Sequence, residues 1–333
     1  MERIKLVFVV VFCLFCFSCA MNFDKEEKVA RGNSTVSFAC WNTQTFFDAE
    51  VDGTEYDEFK NLSKWSKEKY MTRLGRLCEV MTTLNADVFV LEEIENKSVV
   101  QDIANRLAGS DWNKNNTWRY ACFAKDEGAA IGCALFSKYE ITGVRTHSVC
   151  VKNLRINQPS MRPIIEVTLN VDGKVMTVFV NHWKSKLGDE NTDIWRDWQE
   201  FSCANKVADC ILDDSARICV LCGDFNRDVN EFCCSFDSRL GNTNFRAIDG
   251  CVRLYSPWLT DSGGFVSERG SYYYDGTWER IDNILVTENV HLSAFSSRAD
   301  LPWATSSGIP IEYSIYTGKG YSDHLPLMCV LTF

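Results

Sequence analysis

The stretch that decides the reading is Val220–Asp228, "VLCGDFNRD". With Arg217-Ile218-Cys219 ahead of it, the β-branched, apolar start predicts a buried strand over 217–225. That strand runs into a glycine and then offers Asp224 and Asn226. Alone, Gly-Asp-Phe-Asn is an ordinary turn in which Asp and Asn bond their own backbone. The habit recurs, however. "ACWNTQTFFD" ends on Asn42, Gln44 and Asp48, "VFVLEEIEN" on Glu92 and Glu93, and "FVNHWKSK" on His182 with Lys184 and Lys186. "WERIDNILV" buries Asp282 in an apolar run, and "YSDHLPLM" sets Asp323 and His324 ahead of the last strand. Sheets gather distant strand ends at shared rims, so six such tips predict one cleft lined by carboxylates, two imidazoles and a few cations.

Strand-like runs cover 34–41, 86–94, 118–125, 129–138, 162–171, 174–183, 217–225, 280–287 and 325–333. A helix is predicted over 68–85, where Tyr70, Leu74, Leu77, Met81 and Leu84 form one stripe. Another is predicted over 191–212, with Trp195, Trp198, Ala204 and Val207 on its apolar stripe and Asn191 or Thr192 as N-cap. Many strands and few long helices predict two stacked sheets with helices outside. No repeat or Pro/Gly-rich linker divides residues 35–333, so they read as one domain. The aromatics of "FVSERGSYYYDGTW" (265–278) fit a core hairpin, a stacking platform or a membrane-dipping edge.

The N-terminus reads as an export signal. Arg3 and Lys5 precede "LVFVVVFCLFCF" (6–17), a run too short to span a bilayer. "FSCA" (17–20) resembles a lipoprotein cleavage site, giving a signal over 1–19, Cys19 as the lipid attachment residue and a polar tether over 20–34. Ordinary cleavage after Ala20 is the rival, and both routes export the chain to the cell envelope or beyond. Sixteen cysteines in an exported chain invite disulfides. Removing Cys13, Cys16 and Cys19 leaves an odd number, so complete pairing within one chain is excluded. Cys40, Cys133, Cys219 and Cys329 sit in strand-like runs, where cysteine packs as a small hydrophobe. Cys219 and Cys222, three apart in a strand, point to opposite faces and cannot chelate one ion. The net charge of -10 gives no basic field for contact-rich DNA binding and leaves room for a local cationic patch.

Carboxylates with a carboxamide, few imidazoles and no thiolate suit a hard cation such as Mg²⁺ or Mn²⁺. With a His paired to a buried carboxylate, that set serves phosphate-ester hydrolysis.

Six motifs in this order resemble the endonuclease/exonuclease/phosphatase superfamily, most closely its bacterial exported branch, over Ser34–Phe333. The superfamily includes DNase I, abasic-site endonucleases, bacterial sphingomyelinases and inositol-phosphate phosphatases. The resemblance implies an α/β fold, a four-layer α/β/β/α sandwich of two mainly antiparallel sheets with outer helices. It implies metal binding by Glu93, Asn42 and Asp323. It assigns catalysis to His324 paired with Asp282, to Asp224 and Asn226 of the GDxN motif, and to His182. Arg162 of "RPII" and Lys184 would contact phosphate. The inositol-phosphatase run Trp-Cys-Asp-Arg is absent, replaced by Glu279-Arg280-Ile281-Asp282. The expected function is an exported, Mg²⁺- or Mn²⁺-dependent phosphodiesterase acting on DNA or RNA, tethered to the membrane through its lipid. A phospholipid or sphingomyelin phosphodiesterase, or a small-molecule phosphatase, is the alternative. A non-catalytic surface lipoprotein on the same scaffold is the other class, and the complete polar set argues against it.

Overall fold

The computed structural model describes residues 33–333 except 62, 110–117, 151–156, 187–191, 233–241, 248–249 and 261. The expected export signal, Cys19 and all but the end of the expected tether lie outside the described residues, as does Asn191. No described helix is long and apolar enough to cross a membrane.

One sheet has six strands: β1 (Thr35–Phe46), β2 (Val88–Ile94), β3 (Tyr120–Ala124), β4 (Gly132–Ser137), β14 (His291–Ser297) and β15 (Leu327–Thr332). Their spatial order is β14-β15-β1-β2-β4-β3. The other has seven: β5 (Glu140–His147), β6 (Ile164–Val171), β7 (Lys174–His182), β8 (Ile218–Asp224), β9 (Asn242–Ala247), β10 (Gly250–Tyr255) and β13 (Asp282–Val286). Here the order is β5-β6-β7-β8-β13-β10-β9. A small hairpin, β11 (Tyr272–Tyr274) with β12 (Thr277–Glu279), stands apart.

Both sheets are antiparallel except at their centres, where β1 pairs parallel with β2 and β7 with β8. Parallel neighbours need a crossover, and a helix supplies it in each case: α1 (Lys67–Leu84) between β1 and β2, α3 (Asp193–Asp213) between β7 and β8. Alternation along β1 builds the layers. Phe38 and Cys40 enter the core shared with the second sheet, while Ala39 and Trp41 join Leu74, Leu77 and Met81 of α1 in an outer core. α2 (Lys97–Ala108), capped by Asn96 on the Val99 N–H at 3.0 Å, adds Val99, Ile103 and Leu107 to that outer layer. On the opposite side Trp195, Cys203, Ala204 and Val207 of α3 cover the second sheet. The four-layer α/β/β/α expectation holds.

α3 differs from its predicted stripe in one respect. Trp198 is 39% exposed, while Arg196, Gln199 and Glu200 are buried. Glu200 meets Arg227 at 2.7 Å and Gln199 Oε1 accepts the Lys184 N–H at 2.8 Å. These polar bonds rotate the first half of the helix and leave Trp198 against Phe201 at the surface. Thr192 makes no side-chain cap bond. The ten cysteines with described side chains are all free. Cys40, Cys133, Cys219, Cys222 and Cys329 are buried in the inter-sheet and α3-facing core. Of the 265–278 aromatics, Tyr272, Tyr273, Tyr274 and Trp278 form the surface hairpin, not a core one: Tyr274 is 63% exposed.

Close backbone approach fixes one glycine. Gly223 has φ +124°, and a Cβ there would stand 1.9 Å from the Asn181 carbonyl oxygen of the neighbouring parallel strand. Gly223→Ala is expected to cost at least ~3 kcal/mol of unfolding free energy. Gly276→Ala, at a positive φ but with nothing within 4 Å, is expected to cost about 1 kcal/mol. Paired denaturant titrations of the two variants check the difference.

Candidate active site

Because β1 and β2 run in parallel, as do β7 and β8, four strand C-termini reach one rim. Register completes the gathering: Asn42 lies opposite Glu92, His182 opposite Asp224, and Asp224 opposite Asp282 at the start of antiparallel β13. His324 sits three residues ahead of β15, the antiparallel neighbour of β1, and so arrives at the same end.

The backbone bends to present these groups. β1 and β2 shift register after Asn42/Glu92, and Gln44, Thr45 and Glu93 adopt positive φ of 53°, 48° and 63°. A non-glycine residue in that region is uncommon and strained. At Glu93 it turns the side chain toward the cleft, where Oε2 accepts the Thr45 N–H at 2.5 Å and Oε1 the Asn42 Nδ2 at 3.2 Å. Beneath the bend, fully buried Arg73 of α1 donates to the carbonyls of Thr43, Gln44 and Thr45. Its guanidinium lies over the rings of Phe46 and Tyr313.

Asn42 Nδ2 also donates to Asp224 Oδ2 at 3.1 Å, while its Oδ1 accepts the Gln44 N–H at 2.9 Å. Asn42 therefore acts here as a donor bridging two carboxylates. Coordination through Oδ1 requires the carboxamide to turn over. Asp224 Oδ1 accepts the Asn226 N–H at 2.7 Å, and Asn226, at φ 47°, donates Nδ2 to the Trp183 carbonyl at 3.2 Å. Arg162 donates to the same carbonyl at 3.0 Å.

The histidines are held in opposite states. His324 Nδ1 meets Asp282 Oδ2 at 2.8 Å, and Trp41 Nε1 donates to the His324 carbonyl at 2.9 Å. The Tyr272 ring lies 4.8 Å from the imidazole. Burial opposes the charge on His324, yet Asp282, Asp323 and Asp224 outweigh it and raise its pKa well above the usual value. His182 Nε2 lies 3.5 Å from Glu93 Oε1 and 3.8 Å from Asp224 Oδ2. Burial, with Arg162 and His324 adding, drives its pKa well below the usual value, so its ring is neutral. Only Nε2 faces acceptors, because buried Nδ1 has none. Asp224 is pushed up to about 7, first by burial and then by Asp282. Glu92, fully buried with neither carboxylate oxygen partnered, is driven strongly upward by burial and stays protonated.

Carboxylate oxygens of Asp224 and Asp282 and a His324 ring nitrogen lie within 4.8 Å of one another. His324 Nδ1 is committed to Asp282. Glu93 and Asp224 remain as carboxylate donors, and the Asn42 N–H groups occupy the place between them. Hard oxygen donors around a spot already occupied by positive hydrogen fit a divalent cation. Asp323, 4.0 Å from His324 Nε2, stands at the edge of this group with a third of its side chain exposed. Lys184 bonds through its main chain, its carbonyl accepting from Arg196 at 3.0 Å. Lys186 is engaged by Glu279 at 2.8 Å.

Residues 37–300 match the model of the endonuclease/exonuclease/phosphatase family. The chain belongs to this family. Membership makes it a phosphoesterase-type hydrolase with an acidic cluster able to hold a divalent metal. No curated protein sequence matches the chain. Solved structures share its fold. A family protein from Bacteroides thetaiotaomicron is 15% identical with a TM-score of 0.57, over 91% of this chain and 99% of that one. A mannosyl-6-phosphatase of the same species is 16% identical at TM-score 0.55, over 90% and 100%. D. rerio TDP2 complexed with single-strand DNA product is 14% identical at TM-score 0.53, over 90% and 99%.

Sequence reasoning assigned no role to Glu92, Arg73 or Ser322. Ser322 Oγ donates to the Asn42 carbonyl at 2.7 Å and accepts the His324 N–H at 3.1 Å, tying the two together. A serine before Asp-His carries no signal for this by itself. Arg73 interrupts an apolar stripe, which was the available clue.

A carboxyl with its folded pKa raised binds an extra proton in the native state. Its cost is absent below the ordinary 3.8 and grows as pH rises to about 7. Asp224→Asn is therefore expected to stabilise the metal-free protein at pH 8, by at most about 4 kcal/mol, and to lose that advantage at pH 4. Thermal unfolding in chelator at the two pH values measures it.

Proposed function

We propose that the protein is an exported, Mg²⁺- or Mn²⁺-dependent phosphodiesterase acting on nucleic acid. The observation that carries this is the convergence of Glu93, Asp224, His182 and the Asp282–His324 pair on one rim, from both sheets. When bound between Glu93 and Asp224, the cation would neutralise phosphate oxygens and support displacement of the leaving group. The protein groups divide the remaining work. Imidazolium His324, locked by Asp282 at Nδ1, offers Nε2–H to a phosphate oxygen and stabilises charge gathering there. Asp224 orients the attacking water and accepts its proton. Neutral His182 contributes a donor at Nε2, and Arg162 brings a guanidinium for a phosphate oxygen.

The nucleic-acid reading draws on the rim next to His324. Tyr272 and Tyr274 stack with centroids 6.3 Å apart and planes 7° apart, and Tyr274 is largely exposed. Such a ladder offers π-faces to bases. Export rests on the N-terminal apolar run, and membrane attachment on lipidation of Cys19. Neither requires a protein partner.

Turnover of single-strand DNA, RNA, sphingomyelin, an inositol phosphate and a bis-aryl phosphodiester, each with Mg²⁺, tests the assignment. Cleavage of DNA or RNA is expected, abolished by EDTA and restored by Mg²⁺ or Mn²⁺. Turnover confined to lipid or monoester substrates overturns the nucleic-acid part, and chelator-resistant activity overturns the metal part. His324→Gln, whose amide can still donate to Asp282, is expected to lower turnover by ~10²- to 10⁴-fold in a folded protein. Hydrolysis of none of these substrates by the wild type would favour the non-catalytic scaffold.

A further inference from the structure

Two residues beyond Glu93, β2 is followed by another acid. Glu95 is 1% exposed, and its Oε2 accepts the Asp48 N–H at 2.5 Å. Its Oε1 is buried without any hydrogen-bond partner. Carboxylate oxygens of Glu95, Asp52 and Glu55 all lie within 4.8 Å of one another, and Glu55 is itself buried. Among the described residues, no Lys, Arg or His forms an ion pair with any of the three, and Lys125 acts on Asp52 only from longer range. A buried acceptor left unsatisfied costs ~1–3 kcal/mol, more when charged. Two further carboxylates beside it add repulsion. A bound cation would remove both costs at once.

We propose that Asp52, Glu55 and Glu95 hold a calcium ion, separate from the divalent cation of the catalytic rim. The donors are hard oxygens of one type, two of them on a single loop. Asp52 is exposed, so water can fill the remaining positions. Calcium accepts six to eight oxygens in irregular arrangements, whereas magnesium demands a near-ideal octahedron. Turn hydrogen bonds hold the loop in place: Glu55 accepts the N–H groups of Asp52 at 2.5 Å and Gly53 at 2.9 Å. The ion would join the loop after β1 to the end of β2. That loop continues directly into Tyr56, whose hydroxyl feels the charge of Arg162 at the catalytic rim. Calcium would thus brace one wall of the cleft without taking part in hydrolysis.

The Glu93→Gln protein, lacking a carboxylate of the catalytic rim, isolates the second site. Calcium titrated calorimetrically into the chelator-treated Glu93→Gln protein is expected to fill one site and to raise the thermal midpoint. Adding Asp52→Asn, an exposed position, is expected to weaken calcium binding at least ten-fold while the metal-free midpoint does not fall. Absence of calcium binding in Glu93→Gln, or affinity unaltered by Asp52→Asn, overturns the site. An equal response to magnesium overturns the assignment of the ion. The titration reads binding and not turnover, so its outcome is independent of whether any phosphodiester is cleaved.

Discussion

At one end of the sandwich the two sheets meet through hydrogen bonds and not through apolar side chains. His324, ahead of β15, reaches Asp282 at the start of β13. Asn42 of β1 reaches Asp224 of β8, and Glu93 of β2 faces His182 of β7. Each contact joins one sheet to the other. All of them involve groups whose charge is expensive to bury alone, so the arrangement holds only if the charges are mutually balanced. The imidazolium on His324, the N–H groups of Asn42 and protonated Glu92 supply that balance without metal. Raised Asp224 is the sign that it remains incomplete.

The same charge arithmetic separates the two histidines. They lie in one cleft and are both almost fully buried, yet burial decides one and carboxylates decide the other. Two titratable groups whose surroundings push their proton affinities apart can hold an acid and a base in one cleft.

Much of this was legible in the chain. An apolar run ending in Gly-Asp-Phe-Asn, or an aspartate inside "RIDNILV", is a pattern that burial and the two-residue period of strands make readable. The central strands were found for that reason. Edge strands escaped: β5 and β14 expose much of both faces, so their sequences lack the alternation that marks a half-buried strand. α2 was overlooked although Val99, Val100, Ile103 and Leu107 keep helical spacing behind an Asn cap. Trp198 was placed on the wrong face because the buried side of α3 is partly polar. Its partners, Arg227 and Lys184, lie on other elements that no local window includes. Nor could spacing reveal that Asn42 donates to two carboxylates, since that depends on how two sheets meet.

Arg73 carries a consequence for how the site responds to distant change. Its guanidinium, 1% exposed, fastens three consecutive carbonyls of the bent segment after Asn42 to the first crossover helix. The placement of Asn42, and through it of both carboxylates it bridges, is therefore inherited from the seating of α1 on the outer face of its sheet. Residues on that helix which never see the cleft, such as Leu74 and Leu77, act as a foundation for it. Repacking that remote layer would tilt the acidic pocket as surely as altering the pocket itself.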